Sequence, residues 1–257
     1  MEPRQPGTRA VIAVKESGVT RIFFYNWPIY VGTWLGALFV LVLPWQGEVS
    51  WVVAGGALFA VLWSLVSLGV SHFIYDRSEL VEGRWVAQLL NVPAIARWAS
   101  IDAGLDAEVD LSRVLGGEKV ATLDIFSPEF MKANSIRRAR GRTARVHAAR
   151  AASPMALPLE NDSLDAVTIV FSAHELRVTS ARERFFDELI RIVKPGGRVL
   201  LVEHLRDTAN FIAFGPGFLH FLPRSEWLRL ATRSGLRVAH EIRVTPWVMA
   251  LALEKPR

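Results

Sequence analysis

Residues 157–203 constrain the fold of this chain more than any other stretch of its sequence. An apolar, β-branched run at residues 163–171 has the length of a buried strand. Apolar residues then recur at helical spacing over residues 180–193, and Pro195-Gly196-Gly197 ends that helix and supplies a turn. A second buried strand follows at residues 199–202. Strand, helix, glycine turn and strand make a βαβ unit, which predicts a parallel sheet covered by helices.

Three segments of this stretch also match a known family in order and spacing. They are Leu157-Pro158-Leu159, Leu164-Asp165-Ala166-Val167 and Val193-Lys194-Pro195-Gly196-Gly197-Arg198. In these segments the chain resembles class I S-adenosylmethionine-dependent methyltransferases of the type 11-like group. The resemblance implies an α/β fold with a doubly wound, seven-stranded, Rossmann-like sheet, and S-adenosylmethionine as the cofactor. The alternative is that these residues only build a βαβ crossover.

Two long uncharged stretches lie near the N-terminus. No Asp, Glu, Lys or Arg occurs between Arg21 and Glu48, or between Glu48 and Asp76. Each gap exceeds the ~20 residues that span a bilayer core. We predict spans at residues 27–45 and 51–71, which form a two-helix transmembrane hairpin ahead of the sheet. Aromatic residues mark the ends, as expected at membrane interfaces: Trp27, Tyr30, Trp45, Trp51 and Tyr75. The alternative, a buried hairpin of a soluble protein, is disfavoured because neither stretch offers a polar face.

The positions of basic residues predict the orientation. Four precede the first span, two follow the second, and the connecting turn has none: Arg4, Arg9, Lys15, Arg21, Arg77 and Arg84. Both ends should therefore face the cytoplasm, with the protein in a bacterial inner membrane. Two tandem spans are not the pattern of a cleavable signal peptide. The chain has no cysteine, which excludes disulfides, thiolate catalysis and Cys-ligated zinc.

The chain divides into four parts. Residues 1–21 form a cytoplasmic tail, residues 22–75 the hairpin, residues 76–99 a connecting helix, and residues 100–257 the methyltransferase-like domain. The connecting helix could lie on the membrane surface or pack ahead of the first strand. Within the domain we predict strands at 100–104, 120–124 and 145–148, and a closing antiparallel pair at 236–244 and 247–253. Helices are expected at 110–115, from Ser127-Pro128-Glu129 onward, and from Ser225 to a stop at Gly235.

Ligands of doubly wound sheets lie beyond the carboxyl ends of the strands, which predicts a cofactor site at Asp102, Gly104, Asp124 and Ser172. In the methyltransferase family the first turn reads acid-x-Gly-x-Gly-x-Gly. Here only Gly104 of the three glycines is kept, and Asp106 and Glu108 replace the others. A carboxylate at Asp106 would repel the cofactor carboxylate but could pair with its amino group or sulfonium.

Asp124 begins Asp124-Ile125-Phe126-Ser127-Pro128-Glu129, which resembles a family segment whose acid binds the ribose hydroxyls. A carboxylate can accept two hydrogen bonds from a diol. The resemblance places Ile125 or Phe126 beside the adenine, and Ser153 where the family has an acid for the adenine amino group. Met155 is a further candidate in that segment. The alternative for Asp124 is a helix-capping acid.

Methyl transfer needs positioning, and a base where the acceptor must lose a proton. His174 follows the strand at 163–171 in a segment that resembles the family's site mouth, so it is the first candidate base. Glu175 is a candidate orienter or alternative base, and His204 and His220 are further candidates. His220 lies in an apolar insert, residues 210–222, that could cover the pocket. Each His could instead be a hydrogen-bonded loop residue. No H-E-x-x-H spacing occurs, so no metal is predicted.

A basic run is free of acids from residue 131 to 159. Its members are Lys132, Arg137, Arg138, Arg140, Arg142, Arg145 and Arg150. It could be a solvated face, or it could bind anionic lipid headgroups through Arg137, Arg138, Arg140 and Arg142. Nucleic acid is the weakest alternative because no aromatic residues interleave with the arginines.

A hairpin anchor would hold an active site close to a bilayer, which suits a lipophilic acceptor. The sequence therefore predicts a membrane-anchored methyltransferase that acts on a quinone, an isoprenoid or a lipid. One alternative is a catalytically degenerate scaffold or partner subunit, because the glycine turn is eroded. Another is an RNA or protein methyltransferase that uses the basic run.

Overall fold

The structure, a computed structural model, describes residues 17–91, 95–104, 111–142 and 149–257. Its strands are β1 (Arg97–Asp102), β2 (Glu118–Asp124), β3 (Ala149–Ala151), β4 (Leu164–Val170), β5 (Val193–His204), β6 (Arg237–Thr245) and β7 (Val248–Glu254). They form one sheet in the order β3-β2-β1-β4-β5-β7-β6. Neighbours from β3 to β5 run parallel, and β7 is antiparallel to both β5 and β6. The predicted doubly wound, seven-stranded α/β sheet is confirmed.

Nine α-helices lie in the described part of the chain. They are α1 (Gly18–Val42), α2 (Glu48–His72), α3 (Glu79–Glu82), α4 (Trp85–Leu90), α5 (Ser112–Leu115), α6 (Asn134–Arg142), α7 (Thr179–Ile192), α8 (Thr208–Phe214) and α9 (Arg224–Ser234). A short π-helical turn continues α2, and 3-10 turns follow β4 and α8.

Alternate residues of the central strands face two separate cores, because side chains alternate across a sheet. Val167 and Leu201 face a core that α7 and α9 complete with large aromatic and aliphatic side chains. Ala166 and Leu200 face the opposite core, which contains the buried residues of α4. Within the connecting segment, α4 therefore packs against the sheet ahead of the first strand. Trp85, Val86, Leu89 and Leu90 of α4 are all buried.

The N-terminal helices α1 and α2 form an antiparallel hairpin of 25 residues in each arm. Each arm is about 37 Å long at 1.5 Å per residue. Both helices are long and apolar enough, by length and composition, to cross a membrane. Trp34 Nε1 donates to Ser64 Oγ at 2.7 Å between the arms. At the open end, the Asp76 carboxylate accepts hydrogen bonds from Ser17 and from the first backbone amides of α1.

The prediction of a helix that begins at Ser127 is wrong. Ser127 O accepts hydrogen bonds from Phe130 N and Met131 N, so one turn forms. Phe130 O then accepts a hydrogen bond from Arg177 N at 2.9 Å. This carbonyl therefore does not accept the backbone hydrogen bond that would continue the helix. The regular helix starts only at α6. The strand predicted at 145–148 lies outside the described residues, and β3 follows that segment directly.

The predicted glycine turn after α7 is built differently from expectation. The helix ends at Ile192, as the following proline requires, but β5 begins at once with Val193. Gly196 N donates to Lys255 O at 2.7 Å, and Lys255 N donates to Gly197 O at 3.1 Å. This segment is therefore paired with the C-terminal end of the chain. The predicted helix that Gly235 closes and the closing antiparallel strand pair are confirmed.

Asp165, from one of the family-like segments, ties three strands together at the amino edge of the sheet. Its Oδ2 accepts hydrogen bonds from Ala96 N at 3.0 Å and Arg97 N at 2.8 Å, where β1 begins. Its Oδ1 accepts a hydrogen bond from Lys194 Nζ at 2.6 Å, near the start of β5. The aspartate therefore helps to fix the register of β4 with both of its neighbours, β1 and β5.

We expect Asp165→Ala to lower the thermal midpoint by about 4 to 8 °C, because two backbone amides and one ammonium lose a charged acceptor. Thermal unfolding in detergent, followed by circular dichroism, measures the change. Glu160→Ala is the matched control, since Glu160 is an exposed acid in the preceding segment. Equal midpoints for the two variants would contradict this role of Asp165.

Candidate active site

The carboxyl ends of four parallel strands meet at one edge of the sheet. Asp102 ends β1 and pairs in register with Asp124, which ends β2. The chain after β4 carries His174 and Glu175 in a 3-10 turn, and His204 ends β5. Nearly all residues predicted for the site thus converge on one edge, as expected at the switch point of a doubly wound sheet.

Asp124 is held by its own loop and by an arginine. Its Oδ1 accepts hydrogen bonds from Phe126 N at 3.0 Å and Arg140 Nη1 at 2.9 Å, and its Oδ2 accepts one from Arg140 Nη2 at 2.8 Å. Arg140 also donates to Ala103 O at 3.2 Å. The guanidinium carbon lies 4.2 Å from the centre of the Phe126 ring.

The first turn is tight and close to Arg140. Asp102 Oδ1 accepts a hydrogen bond from Gly104 N at 2.6 Å, so this carboxylate shapes the turn. Gly104 has φ +79°, and a Cβ there would lie 2.6 Å from Arg140 Nη1. The positive φ favours glycine at this position. Asp106 and Glu108 lie outside the described residues.

The remaining cofactor candidates differ in access. Ile125 is fully buried in the core, so only Phe126 of this pair presents a face at the edge. Ser172 is buried too, and its hydroxyl donates to Val170 O at 2.9 Å. Ser153 and Met155 are exposed just beyond β3. This edge offers a carboxylate that can bind a diol, the face of an aromatic ring, and a glycine that allows close approach. These groups fit a nucleoside once Arg140 has left Asp124.

His174 is oriented by Glu203 rather than by Glu175. His174 Nδ1 lies 2.6 Å from Glu203 Oε2. Glu203 Oε1 accepts hydrogen bonds from Ala173 N at 2.9 Å and His174 N at 3.2 Å. The buried carboxylate near the end of β5 thus fixes both the ring and the backbone of the 3-10 turn after β4.

Glu175 and His220 lie on the other side of the His174 ring. Glu175 Oε1 is 3.6 Å from His174 Nε2 and 3.1 Å from His220 Nε2. Glu175 Oε2 is buried and has no hydrogen-bond partner among the described residues. One ligand atom from each of these three side chains lies within 4.8 Å of the others, a spacing that a divalent cation could bridge. The same distances suit groups that share protons.

Neighbouring charges and hydrogen bonds shift the pKa values of His174 and Glu175 within this cluster. Burial lowers the pKa of His174, but the charge and hydrogen bond of Glu203 outweigh burial and hold that pKa above its usual value. Burial raises the pKa of Glu175, but the hydrogen bond from His220 and the charge of His174 bring it below its usual value. An imidazolium is thus stabilised between two carboxylates.

His204 has a different environment and is not placed to act as a base. Its ring stacks on Phe171 and Phe221, at centroid distances of 4.8 and 4.7 Å. Burial and the nearby charge of His174 lower the pKa of His204 to about 4, so the ring is neutral. Since Trp247 O accepts a hydrogen bond from Nδ1, Nε2 accepts one from the Tyr75 hydroxyl at 2.8 Å.

The sequence alone gives little indication that two further residues belong to this site. The sequence predicts for Tyr75 only a place in an aromatic belt, but its hydroxyl reaches the domain from the end of the hairpin and bonds to His204. Phe171 has φ +51°, an uncommon value for a residue of its size, and its ring packs between Tyr75 and His204. The turn after β4 is therefore strained so that this ring enters the site.

A cavity of about 970 Å³ connects these groups with the hairpin. Its domain side includes His174, Glu175, His204 and His220. Its hairpin side is mainly apolar and aromatic, with a few hydroxyls. Among the hairpin residues that line it are Tyr25, Ile29, Tyr30, Thr33, Ala60, Trp63, Ser64, Ser67 and Tyr75.

The four arginines proposed for lipid binding have protein partners in the structure. Arg138 Nε donates to Tyr25 O at 2.6 Å, and the Arg142 guanidinium lies 3.6 Å over the Phe24 ring. Arg137 bonds to Asn134 at the start of α6, and Arg140 bonds to Asp124. These contacts fix α6 between α1 and β2. Arg145 lies outside the described residues.

Comparison with known proteins supports the architecture. A crystal structure of an S-adenosylmethionine-dependent methyltransferase from Aquifex aeolicus matches 75% of this chain and 98% of its own, with TM-score 0.51 and 16% identity. A methyltransferase in complex with the Trm112 activator, from Haloferax volcanii, matches 76% of this chain and 95% of its own, with TM-score 0.50 and 15% identity. At these identities the likeness shows the fold.

Sequence relatives are more specific. A demethylmenaquinone methyltransferase from Clavibacter sepedonicus is 47% identical over 47 residues, and the match spans 18% of each protein. The chain thus spans less than a fifth of the length of this curated relative. The model of the ubiE/COQ5 methyltransferase family matches residues 94–226, which is more than half of the chain. The chain therefore belongs to the ubiE/COQ5 methyltransferase family.

Proposed function

We propose that this protein methylates a quinol whose isoprenoid tail lies in a membrane, and that the quinol ring enters the cavity between the hairpin and the domain. The observation that carries this proposal is the cavity itself, because an apolar hairpin wall leads to a buried His174–Glu203 pair. The short match to a demethylmenaquinone methyltransferase supports the same class of acceptor.

The carboxyl edge of β1 and β2 would hold the cofactor. Asp124 would accept hydrogen bonds from the ribose hydroxyls, and the Phe126 ring would flank the adenine. Gly104 leaves room for close backbone approach, and Ser153 and Met155 border the exposed side. When bound, S-adenosylmethionine supplies an electrophilic methyl group. The protein's part is then to place the acceptor in line with it and to manage the acceptor proton.

His174 would take that proton. Its Nδ1 is engaged by Glu203, which leaves Nε2 as the atom that can accept a proton from a ring hydroxyl. Removing this proton makes the free ring carbon more nucleophilic. Once that carbon has gained the methyl group, it loses its own proton and the oxygen regains one from His174, so the net proton released is the one from carbon. The imidazolium that forms is stabilised by Glu203 on one side and by Glu175 on the other, so the charge never lies unpaired in the buried site.

The hairpin would anchor the protein in a membrane with both of its ends in the cytoplasm. Outward-facing apolar side chains cover both arms, among them Leu38, Phe39, Val52 and Leu58. The exposed side chains of Phe211 and Ile212 on α8 continue this surface onto the domain beside Trp63, whose Nε1 donates to Ile212 O at 2.7 Å. A quinol could then pass from the lipid into the cavity without crossing water.

Membrane insertion has a clean test because the chain lacks cysteine. We expect Gln46→Cys, in the exposed turn of the hairpin, to react with a membrane-impermeant maleimide in intact bacterial cells. Glu160→Cys, exposed on the domain, should react only after the cells are opened. Protection of Gln46→Cys in intact cells together with labelling after lysis would refute a spanning hairpin.

The acceptor site is tested with full-length protein, S-adenosylmethionine and a reduced naphthoquinol that carries an isoprenoid tail and a free ring position. We expect a methylated product by mass spectrometry. Ala60→Trp should lower kcat/KM for the quinol at least about tenfold, because the indole fills part of the cavity.

Affinity for S-adenosylhomocysteine should be unchanged in Ala60→Trp. Leu58→Trp, on the outward face of the same helix, is the matched control and should keep wild-type kinetics. The absence of product with quinols of this class would refute the proposed acceptor. Equal effects of the two tryptophans would refute entry through the cavity.

The pH dependence of kcat/KM tests the proton step. The neutral form of His174 is the active base, so the rate should rise as pH rises through the elevated pKa of His174. Glu203→Gln keeps an oxygen for the two backbone amides but removes the negative charge, which lowers that pKa. The acidic limb should therefore move to lower pH by about 1 to 3 units.

Glu241→Gln, which removes an acid from a surface ion pair with Arg224, is the matched control and should leave the limb in place. Dialysis against a chelator should not change the rate. A rate that falls on dialysis and returns on addition of a divalent cation would show that His174, Glu175 and His220 hold a metal instead of sharing protons. That result would overturn the assignment of His174 as the base.

A further inference from the structure

Arg140 covers the part of the carboxyl edge where a nucleoside would have to lie. Its side chain is 19% exposed and that of Asp124 is 15% exposed, so this ion pair is largely removed from water. The guanidinium contacts the end of β2 through Asp124, the turn after β1 through Ala103 O, and the Phe126 ring through its face. One planar group thus fills the space between the two strand ends.

Each contact of the guanidinium corresponds to one that an adenosyl group would make there. Two parallel N–H donors on Asp124 take the place of two hydroxyl donors of a ribose. The planar cation over Phe126 takes the place of an aromatic base. Gly104, which would allow close approach of a ligand to the backbone, is approached by Arg140 Nη1 instead.

We propose that Arg140 is a competing occupant of the cofactor site, which S-adenosylmethionine must displace from Asp124 in order to bind. Non-bonded heavy atoms stay about 3.5 Å or more apart unless they hydrogen-bond, so the nucleoside and the guanidinium cannot share this space. This inference rests on the proposed placement of the cofactor at Asp124. It does not depend on the identity of the acceptor.

The position of Arg140 is set by the hairpin as well as by Asp124. Arg138 and Arg142 flank it on α6, and they bind the backbone of Tyr25 and the ring of Phe24 on α1. The helix is thereby fastened to α1 at two points. Release of Arg140 from Asp124 therefore occurs against a helix that the hairpin holds in place, which favours motion of the Arg140 side chain over motion of α6.

The test is the affinity of the full-length protein in detergent micelles for S-adenosylhomocysteine, measured by titration calorimetry. We expect Arg140→Ala to lower Kd by about tenfold relative to wild type, because the ligand no longer has to break the ion pair. Arg140→Lys keeps the charge but loses the paired donors and the planar stack, so its Kd should be intermediate. Arg137→Ala, an exposed arginine on the same helix, should bind like wild type.

An unchanged or higher Kd for Arg140→Ala would overturn the proposal, and a higher one would show that Arg140 itself binds the cofactor. Thermal unfolding without ligand checks that Arg140→Ala is folded, and if it is not, a Kd for Arg140→Lys at or above that of wild type overturns the proposal. Absence of binding in every variant would refute both Arg140 as an occupant and the cofactor site at Asp124. Wild-type binding without quinol methylation would refute only the proposed acceptor.

Discussion

The parallel strands at the centre of the sheet must be buried on both faces, and the rest of the structure follows from this requirement. On one face α7 and α9 supply the cover, and they come from the chain segments between and after the central strands. On the other face part of the cover is α4, which follows the hairpin after the π-helical turn and α3. Packing of α4 and the residues before it brings Tyr75 and the end of α2 to the carboxyl edge. The hairpin thus becomes a wall of the active site.

Carboxylates then determine the arrangement at that edge. Glu203 has about four acceptor directions and uses three of them, on two backbone amides and the His174 ring, so the turn after β4 has a fixed shape. Asp102 does the same for the turn after β1 through Gly104 N. A carboxylate in such a place is satisfied by backbone donors before any ligand arrives. The site is therefore largely preorganised, and the Asp124–Arg140 pair is the part that a ligand has to change.

The sequence predicted what depends on local pattern. The βαβ unit, the closing strand pair and the stop at Gly235 follow from periodicity and from glycine geometry, and the structure has them. His174 and Asp124 were predicted because one follows a recognisable strand and the other ends one, and both lie at the carboxyl edge of the sheet. The helix expected at Ser127 failed because Phe130 O binds Arg177 N, a contact between segments more than 40 residues apart that no local pattern reveals. The roles of Tyr75, Glu203 and Arg140 were missed for the same reason, since each depends on a partner brought close only by the fold.

The basic run has a structural role that composition alone does not reveal. Seven basic residues without an acid predict a solvated face or a surface for anionic lipid headgroups, and in the structure the four arginines of α6 contact a carboxylate, a side-chain amide, a backbone carbonyl and an aromatic ring. Their shared effect is to place one short helix between the two halves of the site. Arg140 of α6 lies on the cofactor edge, while Ser135 and Arg138 of the same helix line the cavity. Because both spaces have α6 as a common wall, a ring bound in the cavity and a nucleoside bound at Asp124 act on the same rigid element. Because α6 has contacts with both sites and with the hairpin, it offers one route for coupling between cofactor and acceptor, beside the direct contact that in-line transfer requires.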